Sequence, residues 1–344
     1  MEFKESLLTL LQSPCKVIIT THQKPDADAL GSSLALMGVL KKLGHKATVI
    51  SPTDYPKFLK WMPGEDEVIN FQQDQNEDCK KAIAGADLIF CLDFSSLDRI
   101  NSLGKMVEES EGKKVLIDHH IGKEDFADFE FWSVDASSTA ELVYDFIVGI
   151  GQKELLDKSL AEALYAGVMT DTGSFRFPST SRKVHFMIAE LMEIGINHSK
   201  IHRLIYDHNR LGKLQLLGYV LYKKLRVLPE YNTAYIALSS KELEEFQSQT
   251  GDTEGFVNYA LSIDGVVFSA MITDREGERR MSFRSVGDFS VNEFAKEHFE
   301  GGGHKNAAGG RSSLEIEEVV KKFESLLPDY KDELNKVVQL EKRI

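Results

Sequence analysis

Two α/β domains are written into this chain. The N-terminal one is expected to be a doubly wound, mostly parallel sheet. The C-terminal one is expected to be a smaller α/β domain with a mixed or antiparallel sheet, joined to the first by a helical linker. Three observations lead there. Short β-branched runs alternate with helical periodicity through the first third of the chain. A helical stretch follows, and the apolar pattern then switches to alternation. The length of 344 residues corresponds to roughly two domains at ~150 residues each.

The elements follow in order. Lys16–Thr21 (KVIITT) is a continuous apolar, β-branched run, as a strand buried on both faces must be. Residues 29–43 carry apolar side chains at helical spacing and stop before Gly44. A second strand spans 47–50. Pro52, Pro56 and Pro63 mark a loop around Trp61. Residues 87–92 (DLIFCL) and 113–117 (KKVLI) are two more buried strands, with a helix over 97–109 between them. This β-α-β alternation implies parallel strands with helices on both faces. Helices are predicted at 140–150, 160–169, 183–194 and 199–206, and 211–226 reads as one long amphipathic connector. Residues 234–238, 266–273 and 279–284 alternate like half-buried antiparallel strands. Helices at 290–299 and 315–327 flank a glycine-rich loop, and the ending ELNKVVQLEKRI is a charged amphipathic helix with a solvated face. The expected division is 1–200, a linker at 201–228, and 229–344.

Composition narrows the function. Lys plus Arg is 41 and Asp plus Glu is 54, a net charge of −13. A surface that coats long duplex nucleic acid rests on a basic footprint and is excluded here. A nucleic-acid partner must be short and held in a local basic pocket. Cys15, Cys79 and Cys91 are scattered and without a CxxC pair, which excludes a disulfide scaffold and a cysteine zinc site. The N-terminus lacks a signal-peptide pattern, and no run approaches the ~18 apolar residues of a membrane span. A cytoplasmic protein with no membrane partner is expected; the sequence leaves homodimerisation open.

Chemistry collects at strand ends. His22, Asp26 and Asp28 follow the first strand, where open α/β sheets place their ligands. Asp28 alone reads equally well as the N-cap of the next helix, but that leaves Asp26 and His22 unexplained. Asp93 closes DLIFCLD, and as a lone residue it is equally a turn or cap residue. Asp118, His119 and His120 follow a third strand. Asp171 closes an apolar helix containing the small pair Ala166 and Gly167. Carboxylates packed this closely without counter-charge would raise one another's pKa values, a cost that divalent cations remove. The set His22, Asp26, Asp28, Asp93, His119 and Asp171 is large enough for two ions. Imidazole donors favour Mn²⁺ over Mg²⁺ while the carboxylate majority keeps the site hard. A dinuclear Mn²⁺ site bridged by Asp93 is predicted, with Mg²⁺ or Co²⁺ as substitutes.

A second constellation is Gly301, Gly302, Gly303, His304 and Lys305, followed by small residues. It reads as a backbone cradle for an anion leading into a helix start, although linkers look similar. Arg284, at the end of a strand just upstream, is a candidate bidentate phosphate contact or a plain surface arginine. Trp61 and Trp132 read as packing residues, and Cys91 as a buried apolar one.

His22-x-x-x-Asp26-x-Asp28, Asp93, Asp118-His119-His120 and Asp171 resemble the four motifs of the DHH phosphoesterase superfamily. Gly301-Gly302-Gly303-His304 resembles the signature of the DHH-associated C-terminal domain. Order and spacing agree over about residues 15–330, and the likeness is closest to the compact bifunctional oligoribonucleases that also dephosphorylate 3′-phosphoadenosine 5′-phosphate (pAp). The resemblance implies that His22 and Asp26 bind one metal, that Asp28, His119 and Asp171 bind the other, and that Asp93 bridges. It implies that Asp118 orients the DHH loop, that His120 sits near the scissile phosphate, and that Arg284 and His304 bind phosphate. Arg99 matches a common family arginine, able to contact substrate or to pair with Asp98. The implied activity is metal-assisted hydrolysis of RNA of about 2–5 nucleotides and of the pAp 3′-phosphate. A cyclic- or linear-dinucleotide phosphodiesterase would share every metal ligand. A non-catalytic nucleotide-binding module is the alternative from another class.

Overall fold

In the computed structural model, residues 5–72, 77–275 and 277–341 are described. The chain divides into two units, Met1–His208 and Asn209–Ile344. Among the described residues no helix is long and apolar enough to cross a membrane.

The first unit runs α1 (Glu5–Leu10), β1 (Lys16–Thr21), α2 (Ala27–Lys42), β2 (Lys46–Ser51), β3 (Ile69–Asn70), α3 (Glu77–Ala84), β4 (Leu88–Leu92), α4 (Ser102–Glu109), β5 (Lys113–Asp118), β6 (Phe129–Trp132), α5 (Thr139–Gly149), α6 (Lys158–Asp171), α7 (Arg182–Glu193) and α8 (His198–Tyr206). Its six strands are all parallel, in the order β3-β2-β1-β4-β5-β6. Val17, Ile19, Phe90 and Ile117 join the core under α2, α5 and α6. Ile18, Ile89, Cys91 and Leu116 face the other way, onto Cys79 and Ile83 of α3 and Leu103 and Val107 of α4. Two buried faces explain why these strands read as continuous apolar runs. The strand order reverses between β1 and β4, the crevice where doubly wound sheets bind ligands. Register pairs Thr21 with Leu92 and Leu92 with Ile117, so the carboxyl ends of β1, β4 and β5 lie side by side. On one face α2 lies close to α6: a Cβ on Gly31 would sit 2.5 Å from the Ala163 carbonyl oxygen.

The second unit runs α9 (Leu211–Tyr219), β7 (Leu225–Leu228), β8 (Thr233–Leu238), α10 (Ser240–Glu245), α11 (Phe256–Leu261), β9 (Phe268–Arg275), β10 (Glu278–Ser285), α12 (Val291–His298), β11 (Gly302–His304), β12 (Ala307–Ser312) and α13 (Ile316–Glu341). Its sheet order is β11-β12-β10-β9-β8-β7. The sheet is mixed, because β8 and β9 pair in parallel while the other pairs are antiparallel. The expected antiparallel pairing of these two strands is thus corrected. They are not half-buried either: Tyr235, Phe268, Ala270 and Ile272 join a core with α12 and α13. Ala234, Ile236 and Met271 join another with α9 and α11.

Residues 211–226 are not one continuous helix. They comprise α9, a π-helical turn at Val220–Lys224 and the start of β7, with Leu216 and Val220 buried in the second unit. The last helix does not end near 327. It passes through Pro328 to Glu341, because Phe323 and Leu327 before the proline and Leu334 and Val337 after it all bury in one core. That packing outweighs the lost backbone hydrogen bond. Residues 342–344 of the predicted charged ending lie outside the described residues.

Candidate metal centre

Three strand ends and one helix end deliver the site. Asp93 follows β4 with φ at +66°, a left-handed conformation that few residues other than glycine, asparagine and aspartate adopt. Its N–H donates to the Ile117 carbonyl at 3.1 Å, so the turn is tied to β5. The helix cap is Asp26, not Asp28: Asp26 Oδ1 accepts from the N–H groups of Asp28 (2.9 Å) and Ala29 (3.0 Å). Asp28 lies two residues further in, within the first turn, and is fully buried. Its carboxylate accepts from Thr139 N–H (2.7 Å) and Ala140 N–H (2.8 Å), the open donors at the start of α5.

The side chains converge on two groups. The donor atoms of His22, Asp26 and Asp93 lie within 4.8 Å of one another, as do those of Asp28, His119 and Asp171. His22 Nε2 is 3.4 Å from Asp93 Oδ2. His119 Nε2 is 3.4 Å from Asp93 Oδ1, 3.3 Å from Asp171 Oδ2 and 3.9 Å from Asp28 Oδ2. Asp93 therefore turns one oxygen to each group. These separations are too long for good hydrogen bonds. Donors sharing one ion through bonds of about 2.1 Å sit about 3.0–3.4 Å apart, which these spacings approach.

Electrostatics point the same way. Burial and the nearby Asp171 push the Asp26 carboxyl up to about 6. Burial and the charges of Asp93 and Asp171 hold Asp28 well above the usual carboxylate range. Burial also works against charge on Asp93, but the imidazoles of His119 and His22 overcome it and hold Asp93 well below that range. Burial alone would lower His22; Asp93 and Asp26 reverse this and push it up to about 9. His119 is raised well above its ordinary value in the same way, by Asp171 and Asp93 against burial. Without a cation the cluster holds protons that solvent-exposed groups would have shed. Four carboxylates and two imidazoles with this preference fit divalent cations.

The loop beyond β6 and the start of α5 were not anticipated as part of the site. The Ala136 carbonyl faces His119 Nδ1 at 3.4 Å. Thr139 Oγ1 donates to Asp93 Oδ1 at 2.8 Å. Ser138 caps α5 through Glu141 N–H; a Ser138-x-x-Glu141 spacing suits a helix start but carries no sign of contacts with Asp28 and Asp93. His120 Nδ1 is 2.8 Å from Asp118 Oδ1. Asp118 Oδ2 is buried with no hydrogen-bond partner among the described residues. Trp132, read as a packing residue, instead donates its indole N–H to the His120 carbonyl at 2.7 Å and remains partly exposed. Arg99 is exposed, and its charge disfavours protonation of His22. It forms no ion pair with Asp98, whose carboxylate is taken by Ser96 Oγ.

Gly167 makes the close approach of α6 possible. A Cβ there would meet Asp28 Oδ1 and Ala140 Cβ, each at 2.8 Å. Gly167→Ala is expected to cost about 1–3 kcal/mol by overpacking. Urea denaturation of the two proteins measures it; an unchanged midpoint would show that α6 can retreat freely.

In the second unit the glycine run does not open a helix. Gly301–Gly303 lead into the short β11–β12 edge hairpin. A Cβ on Gly301 would fall 2.0 Å from the Gly309 carbonyl oxygen. Gly303 has φ at +151°, with a Cβ position 2.6 Å from the Ala307 carbonyl oxygen. The glycines serve strand proximity first, which a run of small residues cannot reveal by itself. Gly302 leaves room for a Cβ, with the nearest atoms 3.6 Å away. Arg284 on β10 and His304 on β11 are both register partners of Ala307, so they flank one small residue across the sheet. Lys305, predicted to face an anion, is paired with Asp288 at 2.7 Å.

Residues 16–168 match the DHH family N-terminal domain and residues 231–329 match the DHHA1 domain. The chain belongs to the DHH family. An exopolyphosphatase-related protein of known structure from Bacteroides fragilis is 40% identical, with a TM-score of 0.90 over 96% of this chain and 97% of that one. The bifunctional oligoribonuclease and PAP phosphatase NrnA of Thermus thermophilus is 29% identical over 98% of this chain and 95% of its own length. The protein of the same name from Bacillus subtilis is 26% identical over 95% of this chain and 99% of its own. With both family domains and this full-length likeness, the present DHH protein is a phosphoesterase, a hydrolase of phosphoester bonds.

Proposed function

We propose that this phosphoesterase uses two divalent cations, Mn²⁺ by preference, to hydrolyse RNA of about 2–5 nucleotides to mononucleotides and to remove the 3′-phosphate of pAp, giving AMP. The observation that carries the metal reading is the pair of three-donor groups, with Asp93 a member of the first and its other oxygen 3.4 Å from His119 of the second. His22 and Asp26 would hold one ion and Asp28, His119 and Asp171 the other, with Asp93 common to both. The substrate class is supported by the names and coverage of the relatives described above.

When bound, the ions would make the attacking water acidic enough to act near neutral pH and would neutralise charge on the phosphoryl oxygens. The chain's own residues do the rest. Asp118 accepts from His120 Nδ1 and so leaves proton exchange to Nε2, which we assign to the leaving oxygen. Trp132 holds the backbone of that histidine in place. Arg284 and His304 would bind the substrate's phosphate, Arg284 through its planar donor fork. The backbone of Gly301, Gly302 and Gly303 would line that position, with Lys305 at its margin. Arg99 would assist at the metal side.

The test is a Mn²⁺-supplemented hydrolysis assay with resolved products. It offers 5′-labelled RNA of two to five nucleotides, the same RNA at about 24 nucleotides, pAp and a cyclic dinucleotide. Rapid loss of the short RNAs and of the pAp 3′-phosphate, with the long RNA spared, is expected. Preference for the cyclic dinucleotide would replace the substrate assignment and leave the metal assignment standing.

A further inference from the structure

The first turn of α5 touches both donor groups at once, and one residue makes two of the three contacts. Thr139 Oγ1 donates to Asp93 Oδ1 at 2.8 Å, and its backbone N–H donates to Asp28 Oδ2 at 2.7 Å. Ala140 N–H completes the hold on Asp28 at 2.8 Å. Thr139 is fully buried, and its branched side chain has few rotamers to choose from. We propose that Thr139 is a positioning residue that couples the two donor groups: its hydroxyl sets the orientation of the carboxylate they share, while its N–H sets Asp28 in the second group.

The physical need is specific. The terminal torsion of an aspartate is broad, so a carboxylate placed between two ions is not held in a bridging orientation by its own rotamer. Asp93 must keep Oδ2 toward His22 and Oδ1 toward His119, each at 3.4 Å. The Thr139 hydroxyl binds Oδ1 and resists rotation about that torsion. It occupies one acceptor site of that oxygen and leaves another for an ion. Partners behind metal ligands commonly change metal affinity by about 10–100-fold when removed. Because Oδ1 faces His119, the loss should fall on the ion of the Asp28, His119 and Asp171 group.

This inference rests on the two-ion reading above. The experiment titrates Mn²⁺ alone, in the full chain, by calorimetry and by the electron paramagnetic resonance signal of spin-coupled Mn²⁺ pairs. Wild type is expected to bind two ions and show the coupled signal. In Thr139→Val one of the two sites should lose about 10–100-fold in affinity and the coupled signal should fade. The other site should lose less, since Asp93 Oδ2 still faces His22. Thr139→Ser, which keeps the hydroxyl, should restore both. Melting of the metal-free proteins checks folding; if the valine variant does not fold, Thr139→Ala against Thr139→Ser makes the same comparison. A purely structural role would lower the melting point and leave the two affinities and the coupling as in wild type. That result overturns the inference and spares the two-ion reading. A wild-type stoichiometry of one ion would overturn both.

Discussion

Asp93→Asn is expected to leave a folded protein whose hydrolytic rate falls by at least about a thousandfold. Asparagine suits this position for a structural reason. Asp93 sits at φ +66°, which asparagine tolerates and alanine does not without strain. The amide can still accept from Thr139 Oγ1, so the local hydrogen bond survives. What disappears is the charge shared by both donor groups. His22 and His119 lose the carboxylate that faces them at 3.4 Å, so their raised pKa values should fall back. Turnover of pAp and Mn²⁺ stoichiometry, measured side by side, check the prediction. Full stoichiometry with near wild-type turnover would remove Asp93 from the centre of the mechanism.

Stripped of divalent ions by a chelator, the protein should lose stability as pH rises from 5 to 9. Asp26 titrates at about 6 in the folded chain against an ordinary 3.8, and His22 at about 9 against 6.5. Both folded values are raised, so the native state holds protons that the unfolded chain has released. The stability they lend is complete below the unfolded values and is lost as pH climbs through the folded ones. Asp28 and His119 are shifted in the same direction. Asp93, held low, contributes with the opposite sign only in acid, outside this window. The loss across His22 alone is on the order of 2–3 kcal/mol, or roughly 5–10 °C in melting temperature. Saturating Mn²⁺ should reverse the trend, since bound metal displaces these protons and binds more tightly as they leave. Melting curves with chelator and with Mn²⁺, from pH 5 to 9, give the two slopes. Parallel slopes would mean that the ion does not bind at these residues.

Sequence reading succeeds here where burial leaves no choice. β1, β4 and β5 are covered on both faces, so their apolar runs are unbroken and the charged residue after each stands out. That is why His22, Asp26, Asp28, Asp93, Asp118, His119 and His120 could be picked out, and why the structure finds them at adjoining strand ends. It fails where the signal is short or shared. β3 has two residues, and β6 is an edge strand of four that alternates between buried and exposed. The β11–β12 hairpin is built mostly from glycine and alanine, which carry no periodicity. Thr139 escaped notice because a threonine at a helix start looks the same whether or not it touches a carboxylate from a distant strand end. Asp26 rather than Asp28 caps α2 because the Asp28 carboxylate is taken up by the N–H groups of α5, a distant partner that the local sequence does not show.

The bond from Thr139 to Asp28 spans 111 residues of chain, and that span orders events during synthesis. A nascent polypeptide emerges N-terminus first, so His22, Asp26 and Asp28 leave the ribosome well before Thr139 and Asp171 have been translated. Until α5 arrives, Asp28 lacks the two N–H donors that hold it. Non-local contacts of this length also form late because their loop-closure cost comes first. On the metal assignment proposed above, ion capture would therefore come at the end of folding of the first unit. A chain truncated ahead of α5 should emerge as a crowd of acids with no metal to quiet it, and such a fragment should be an early substrate for cellular proteases.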